Sequence, residues 1–107
     1  MKDEKLENCA VACEQCASEC DACATICKTE GHNQCVSECK KCAEACRECA
    51  DACRAEDDAA IKAAAQKCAD VCEACAKEGE KHAHMDCCRK CAASCRKCAE
   101  LCKSLAA

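Results

Sequence analysis

Tryptophan, tyrosine, phenylalanine and proline are all absent from the chain, and glycine occurs only at Gly31 and Gly79. Without an aromatic there is nothing to stack on a base. With 16 Lys and Arg against 20 Asp and Glu, for a net charge of −4, there is no basic excess to neutralise phosphate. Nucleic acid is therefore excluded as a partner. No apolar run approaches the length of a membrane-spanning helix, so no membrane partner is expected. The opening MKDEKLEN is charged where a secretory signal would be apolar. These absences lead to the expectation of a cytoplasmic protein. Bulky aliphatics are scarce too: Met1, Leu6, Val11, Ile26, Val36, Ile61, Val71, Met85, Leu101 and Leu105 are all there are. The apolar fraction of 51% is thus mostly alanine and cysteine, and that inventory cannot fill an ordinary interior.

What the chain has instead is 21 cysteines in 107 residues. They begin with CAVACEQCASECDACATIC, residues 9–27, in which the steps between cysteines alternate between four and three. The surrounding residues are Ala, Glu, Lys, Arg and Gln, all good helix formers. Breaks fall at KTEGHNQ (28–34), RAEDDAA (54–60) and KEGEKHAHMD (77–86). The pattern predicts helices over about 3–29, 34–55, 58–78 and 85–105. Gly31 and Gly79 suit helix C-terminal positions, and Asn33 and Asp58 suit N-caps. Links this short favour antiparallel neighbours, so the expected fold is all-α: an up-down-up-down four-helix bundle forming one domain over 1–107.

Alternating steps of three and four put residues on one helix seam. The first helix carries Cys9, Cys13, Cys16, Cys20, Cys23 and Cys27, and the second Cys35, Cys39, Cys42, Cys46, Cys49 and Cys53. The third has Cys68, Cys72 and Cys75; the fourth has Cys88, Cys91, Cys95, Cys98 and Cys102, with Cys87 one step out of phase. Continuing the beat adds Ile61, Ala65 and Gly79 on the third helix and His84 on the fourth. Antiparallel stacking then groups the seams into six layers of four. In order these are Cys9, Cys53, Ile61, Cys102; Cys13, Cys49, Ala65, Cys98; and Cys16, Cys46, Cys68, Cys95. The other half comprises Cys20, Cys42, Cys72, Cys91; Cys23, Cys39, Cys75, Cys88; and Cys27, Cys35, Gly79, His84. The thiols are the core, in a column of roughly 27 Å.

The two ends of the column differ. Leu6, Leu105 and Ile61 make an apolar plug at one. At the other, Gly31, His32, Gly79, His82, His84, Met85 and Cys87 combine small residues with soft or borderline ligands, which marks a mouth for metal. His82, His84 and Met85 are candidate ligands there, or else merely close the loop. Cys87 is a further mouth ligand or a spare exposed thiol.

Thiols stay reduced in a cytosol, the cysteine count is odd, and i, i+4 thiols on continuous helices are badly placed for repeated disulfides. Metal is the better reading. Soft thiolates select Cu(I), Zn or iron–sulfur clusters, and charge separates these. Binding strips the thiol proton, so a Zn²⁺ ion on four unshared thiolates leaves −2, and stacking such sites in a dry tube is costly. One Cu(I) per bridging thiolate leaves the core neutral. Nothing marks off the discrete cages that iron–sulfur clusters need. The expected cargo is Cu(I) at nearly one ion per inward cysteine, about 18–21 per chain. A metallothionein-like Zn²⁺ or Cd²⁺ buffer at lower loading stays open. No cysteine is singled out as a nucleophile and no cleft is implied, so an enzyme is not expected.

CADVCEAC (68–75), KHAHMDCCRKCAASCRKCAELC (81–102) and the repeated CxxxCxxCxxxC resemble the bacterial copper storage proteins over essentially the whole chain. The resemblance implies a four-helix bundle filled with Cu(I)–thiolate sites and assembled as a homotetramer. Without a visible signal, the chain is similar to the cytosolic branch. The inward cysteines match the family's ligand positions, and His82, His84 and Met85 match its His-rich stretch at the bundle opening. Gly79 and Ala65 stand where members often carry cysteine, and Cys87 where a histidine commonly precedes the first cysteine of the last helix.

Overall fold

A computed structural model describes residues 4–107. Four helices account for nearly all of them: α1 (Glu4–Thr29), α2 (Asn33–Ala55), α3 (Asp58–Glu80) and α4 (Asp86–Ala106). Their bounds fall within two residues of those the periodicity predicts. The stops are local. At the end of α1, Gly31 takes φ +78°, which costs glycine no steric penalty. His32 N–H then reaches back to Cys27 O at 3.0 Å and Gly31 N–H to Lys28 O at 3.3 Å, satisfying the last carbonyls. At the end of α2 it is Glu56, not a glycine, that turns left-handed, at φ 58°.

Three expected caps move. The N-cap of α3 is Asp57, whose carboxylate accepts from Ala60 N–H at 3.2 Å; Asp58 lies inside the first turn. The residue before α2 is His32 rather than Asn33, and no side chain caps that helix. Gly79 does not end α3. The helix runs on to Glu80, because Lys81 keeps a right-handed conformation (φ −70°, ψ −18°) and its N–H still bonds Glu78 O at 3.2 Å. The glycine answers a packing demand instead. A Cβ built on it would lie 3.0 Å from Cys88 O and 3.4 Å from Ala92 Cβ, so the last turn of α3 presses directly on the backbone of α4.

Each helix packs on its neighbours around a ring, α1 on α2 and α4, α3 on α2 and α4. The ring is narrow, 45 × 18 × 17 Å. Buried alanines explain this: Ala10, Ala17, Ala43, Ala50, Ala69, Ala76, Ala92 and Ala99 lie at helix–helix contacts and let backbones approach closely. One end holds the start of α1, the 56–57 turn and the end of α4. The turns at 30–32 and 81–85 form the other.

Ion pairs strap three of the four seams. Arg47 with Asp21 and Arg54 with Glu14 join α1 to α2. Lys67 and Glu48 at 3.3 Å join α2 to α3. Arg96 with Glu80 at 2.9 Å, and Lys103 with Glu73, join α3 to α4. All are solvent-exposed and so weak individually, at about 0.2–1 kcal/mol each. Among the described residues no ion pair crosses the seam between α1 and α4.

Candidate metal centre

The seams of all four helices turn to one axis. Every cysteine except Cys87 is buried, and Cys87 is half-buried. Their sulfurs meet. Across α1 and α4 the partners are those the spacing predicts: Cys9–Cys102 at 3.7 Å, Cys13–Cys98 at 3.5 Å, Cys16–Cys95 at 3.6 Å, Cys20–Cys91 at 3.5 Å and Cys23–Cys88 at 3.6 Å. Across α2 and α3 they are Cys39–Cys75 at 3.9 Å, Cys42–Cys72 at 3.5 Å and Cys46–Cys68 at 3.7 Å, again as expected.

The flat layers do not form. Cys16 and Cys95 lie against Cys42, at 3.8 and 3.7 Å, rather than only beside Cys46 and Cys68. The α2–α3 pairs are offset along the axis from the α1–α4 pairs, so the sulfurs climb as a staircase. The offset follows from close-packed side chains interdigitating rather than meeting head-on. It produces overlapping quartets with all four sulfurs within 4.8 Å of one another: Cys16, Cys42, Cys72, Cys95; Cys16, Cys46, Cys72, Cys98; and Cys20, Cys42, Cys75, Cys95 among them. A metal–thiolate bond of about 2.3 Å lets one ion join sulfurs up to about 4.6 Å apart. Neighbouring quartets share members, so the geometry suits bridging thiolates better than isolated four-sulfur cages.

Burial sets the charge state. It pushes the Cys35 thiol up to about 11 and that of Cys53 up to about 12, and it raises Cys23 and Cys88 as well. These four thiols, which flank the two ends of the column, keep their protons at neutral pH in the metal-free protein, and filling their sites must expel them.

The thiol contacts fall into two sets. Near the 30–32 and 81–85 turns, Cys23, Cys27, Cys35, Cys87 and Cys88 are mutually connected, the shortest pair being Cys27 and Cys35 at 3.2 Å. The deeper thiols form another, from Cys9 to Cys91. Among the described residues no thiol–thiol hydrogen bond links the two. At the far end Ile61 is buried, with Leu6 and Leu105 packed on the core, as the predicted plug requires. Ala65 occupies its predicted place beside the thiols, fully buried.

The mouth residues are placed less uniformly than the spacing implies. His82 and His32 come together with ring centroids 4.2 Å apart. His84 is exposed, about 6.5 Å from both, and does not occupy the last layer. Met85 packs on the core at the start of α4, its N–H bonding His82 O at 2.9 Å. Gly79 does not face the axis as an empty ligand slot, since its missing Cβ would meet α4. His32, which the spacing places at the mouth but not among the candidate ligands, faces His82 there, and one residue of this end, Glu78, has no signal in the cysteine spacing. Glu78 is buried, and its carboxylate accepts from His82 Nε2 at 3.2 Å. Its place four residues before His82, one helical turn away, is the only trace the sequence carries.

The family model of the copper storage protein matches residues 2–107. The chain belongs to the copper storage protein family. Among solved structures of that family, it is similar to the cytosolic copper storage protein of Streptomyces lividans in a form with five coppers, at 33% identity and a TM-score of 0.89 over 96% of this chain and 92% of that one. The same Streptomyces lividans protein, Ccsp, loaded with 10 copper equivalents matches at 33% identity and TM-score 0.89, over 96% of this chain and 84% of that one. A histidine-to-alanine variant of Ccsp matches at 32% identity, with TM-score 0.89 over 96% of this chain and 92% of the other. No curated protein sequence matches. Copper storage, and a bundle built for it, fit this thiol column better than a Zn²⁺ or Cd²⁺ buffer.

Proposed function

We propose that the chain stores Cu(I) at close to one ion per inward cysteine, with Cys9 to Cys53 on α1 and α2, Cys68 to Cys75 on α3 and Cys88 to Cys102 on α4 as ligands. The overlapping sulfur quartets carry this reading. Shared thiolates let each ion's charge cancel one sulfur's, so the filled core ends neutral in a dry interior. Copper passes in and out at the end bearing His82, His84, Met85 and Cys87, since the opposite end is stoppered by Ile61 and its leucines. The protein works in the cytosol, as its Streptomyces lividans relative does, and assembles as a homotetramer. It performs no catalysis, because no thiol is set apart and exposed with a base beside it.

Anaerobic titration of the fully reduced protein with Cu(I) against a chromophoric Cu(I) competitor tests the reading. The competitor is expected to stay colourless until about 18–21 equivalents are bound. Colour after a few equivalents, together with tight uptake of about five to seven divalent ions, would assign the column to Zn²⁺ or Cd²⁺. Light scattering of the same sample reads the tetramer.

A further inference from the structure

Glu78 is the one charged residue that is buried among those described, with its side chain 10% exposed. A buried carboxylate is costly unless it is paired. Its partners are specific: Oε2 lies 3.2 Å from His82 Nε2, and Oε1 3.3 Å from Lys81 Nζ. His82 is itself 17% exposed, with the His32 ring centroid 4.2 Å from its own. His84, by contrast, has no such partner among the hydrogen bonds described, and it is exposed. The three histidines at the mouth are therefore not equivalent, and among the described contacts only His82 has both a carboxylate partner and a neighbouring ring within 4.2 Å.

An ionised carboxylate can only accept, so the ring nitrogen facing it carries the proton. The lone pair of a neutral His82 is then confined to Nδ1. A carboxylate on the far nitrogen of a metal-binding imidazole also fixes the ring's orientation and makes the free nitrogen a stronger donor. We propose that Glu78 is a positioning residue for copper transfer: it holds His82 as the Nε2–H tautomer and makes Nδ1 of His82 the nitrogen that hands Cu(I) to the thiols behind it. The inference rests on the reading of this end as the mouth. It adds that His82, rather than His84 or His32, does the work, and that Glu78 is the reason.

The test compares wild type with Glu78→Leu, Glu78→Gln, His82→Ala and His84→Ala, each checked for helix content. Stopped-flow transfer of Cu(I) to and from the competitor reads the mouth. Imidazole nitrogen NMR reads the device directly. In wild type, the His82 Nε2–H should be protected from exchange, and the Nδ1 resonance should shift as the first copper is added while Nε2–H persists. Transfer should slow about tenfold in Glu78→Leu with the final copper capacity unchanged, while Glu78→Gln, which keeps an acceptor oxygen, stays near wild type. If His84→Ala slows transfer and His82→Ala does not, the mouth stands and the choice of His82 is wrong; if replacing His82, His84 and Met85 together leaves the rates unaltered, the mouth reading itself fails. If His82→Ala slows transfer but Glu78→Leu does not, the role given to Glu78 is wrong. If Glu78→Leu does not fold, the wild-type spectra decide: copper bound through Nε2, or an unprotected Nε2–H, overturns the proposal.

Discussion

Gly79 shows how a single missing methyl can be misread. By spacing it is one more inward position of the cysteine beat; in the bundle it is where α3 touches the backbone of α4. Gly79→Ala sets two effects against each other. Helix propensity favours alanine by about 1 kcal/mol, and overpacking costs about 1–3 kcal/mol. The near atom is a carbonyl oxygen of α4, which cannot swing aside, so overpacking wins. The variant should melt about 4–8 °C lower by circular dichroism, for a net loss of about 1 kcal/mol. Cys35 and Cys53 act at the same scale but through charge. Their folded values of about 11 and 12 lie above the ordinary 9.0 because burial disfavours the thiolate. Below about 9 both folded and unfolded chains keep these protons and the contribution to stability is whole. As pH rises past that point the unfolded chain ionises first, and stability is lost on the way up through 11 and 12. Metal-free protein should therefore lose helical signal in alkali. Copper-loaded protein, with no thiol protons left to lose, should not.

At the scale of the element, the helices and their inward faces are legible because they rest on periodicity, and periodicity survives any packing detail. The α1–α4 and α2–α3 partners follow from antiparallel order alone. The axial offset between those two sets does not, since it depends on how side-chain volumes interlock. Caps are legible only to within a residue or so: Asp57 and Asp58 are both competent, and backbone geometry rather than residue type selects Asp57. Asp57→Ala should cost the bundle about 1 kcal/mol, while Asp58→Ala, which removes only a charge from the first turn, should cost a few tenths, measured by denaturant titration. Glu78 is illegible for a different reason. In KEGEKH it reads as one more charge on a wet face, and only its burial and the His82 ring one helical turn on set it apart.

For the whole molecule, the separation of the mouth thiols from the deeper ones has a kinetic meaning. Under the proposed function, copper held by Cys23, Cys27, Cys35, Cys87 and Cys88 would sit nearest the mouth, and the remaining ions would pass that way. Removal by excess chelator should be biphasic, with the fast amplitude matching the mouth set. Replacing Cys27, Cys35 and Cys88 with serine should slow filling of the inner column while sparing most of its capacity. A single exponential that survives these changes would mean that copper reaches the interior by another route.

The unstrapped seam has a mechanical consequence. Three seams carry both a connecting turn and ion pairs; α1 and α4 have no turn between them and, among the described residues, no ion pair, and meet through Cys9–Cys102, Cys13–Cys98, Cys16–Cys95, Cys20–Cys91 and Cys23–Cys88. The start of α1 and the end of α4 lie at the same end of the bundle, so a force pulling them apart opens that seam like a zipper, one sulfur pair at a time. In the empty protein each tooth is a weak thiol contact. In the filled one each is a metal–sulfur stitch. The rupture force measured by pulling on the two ends should climb with each increment of copper, so that tension reports how full the protein is.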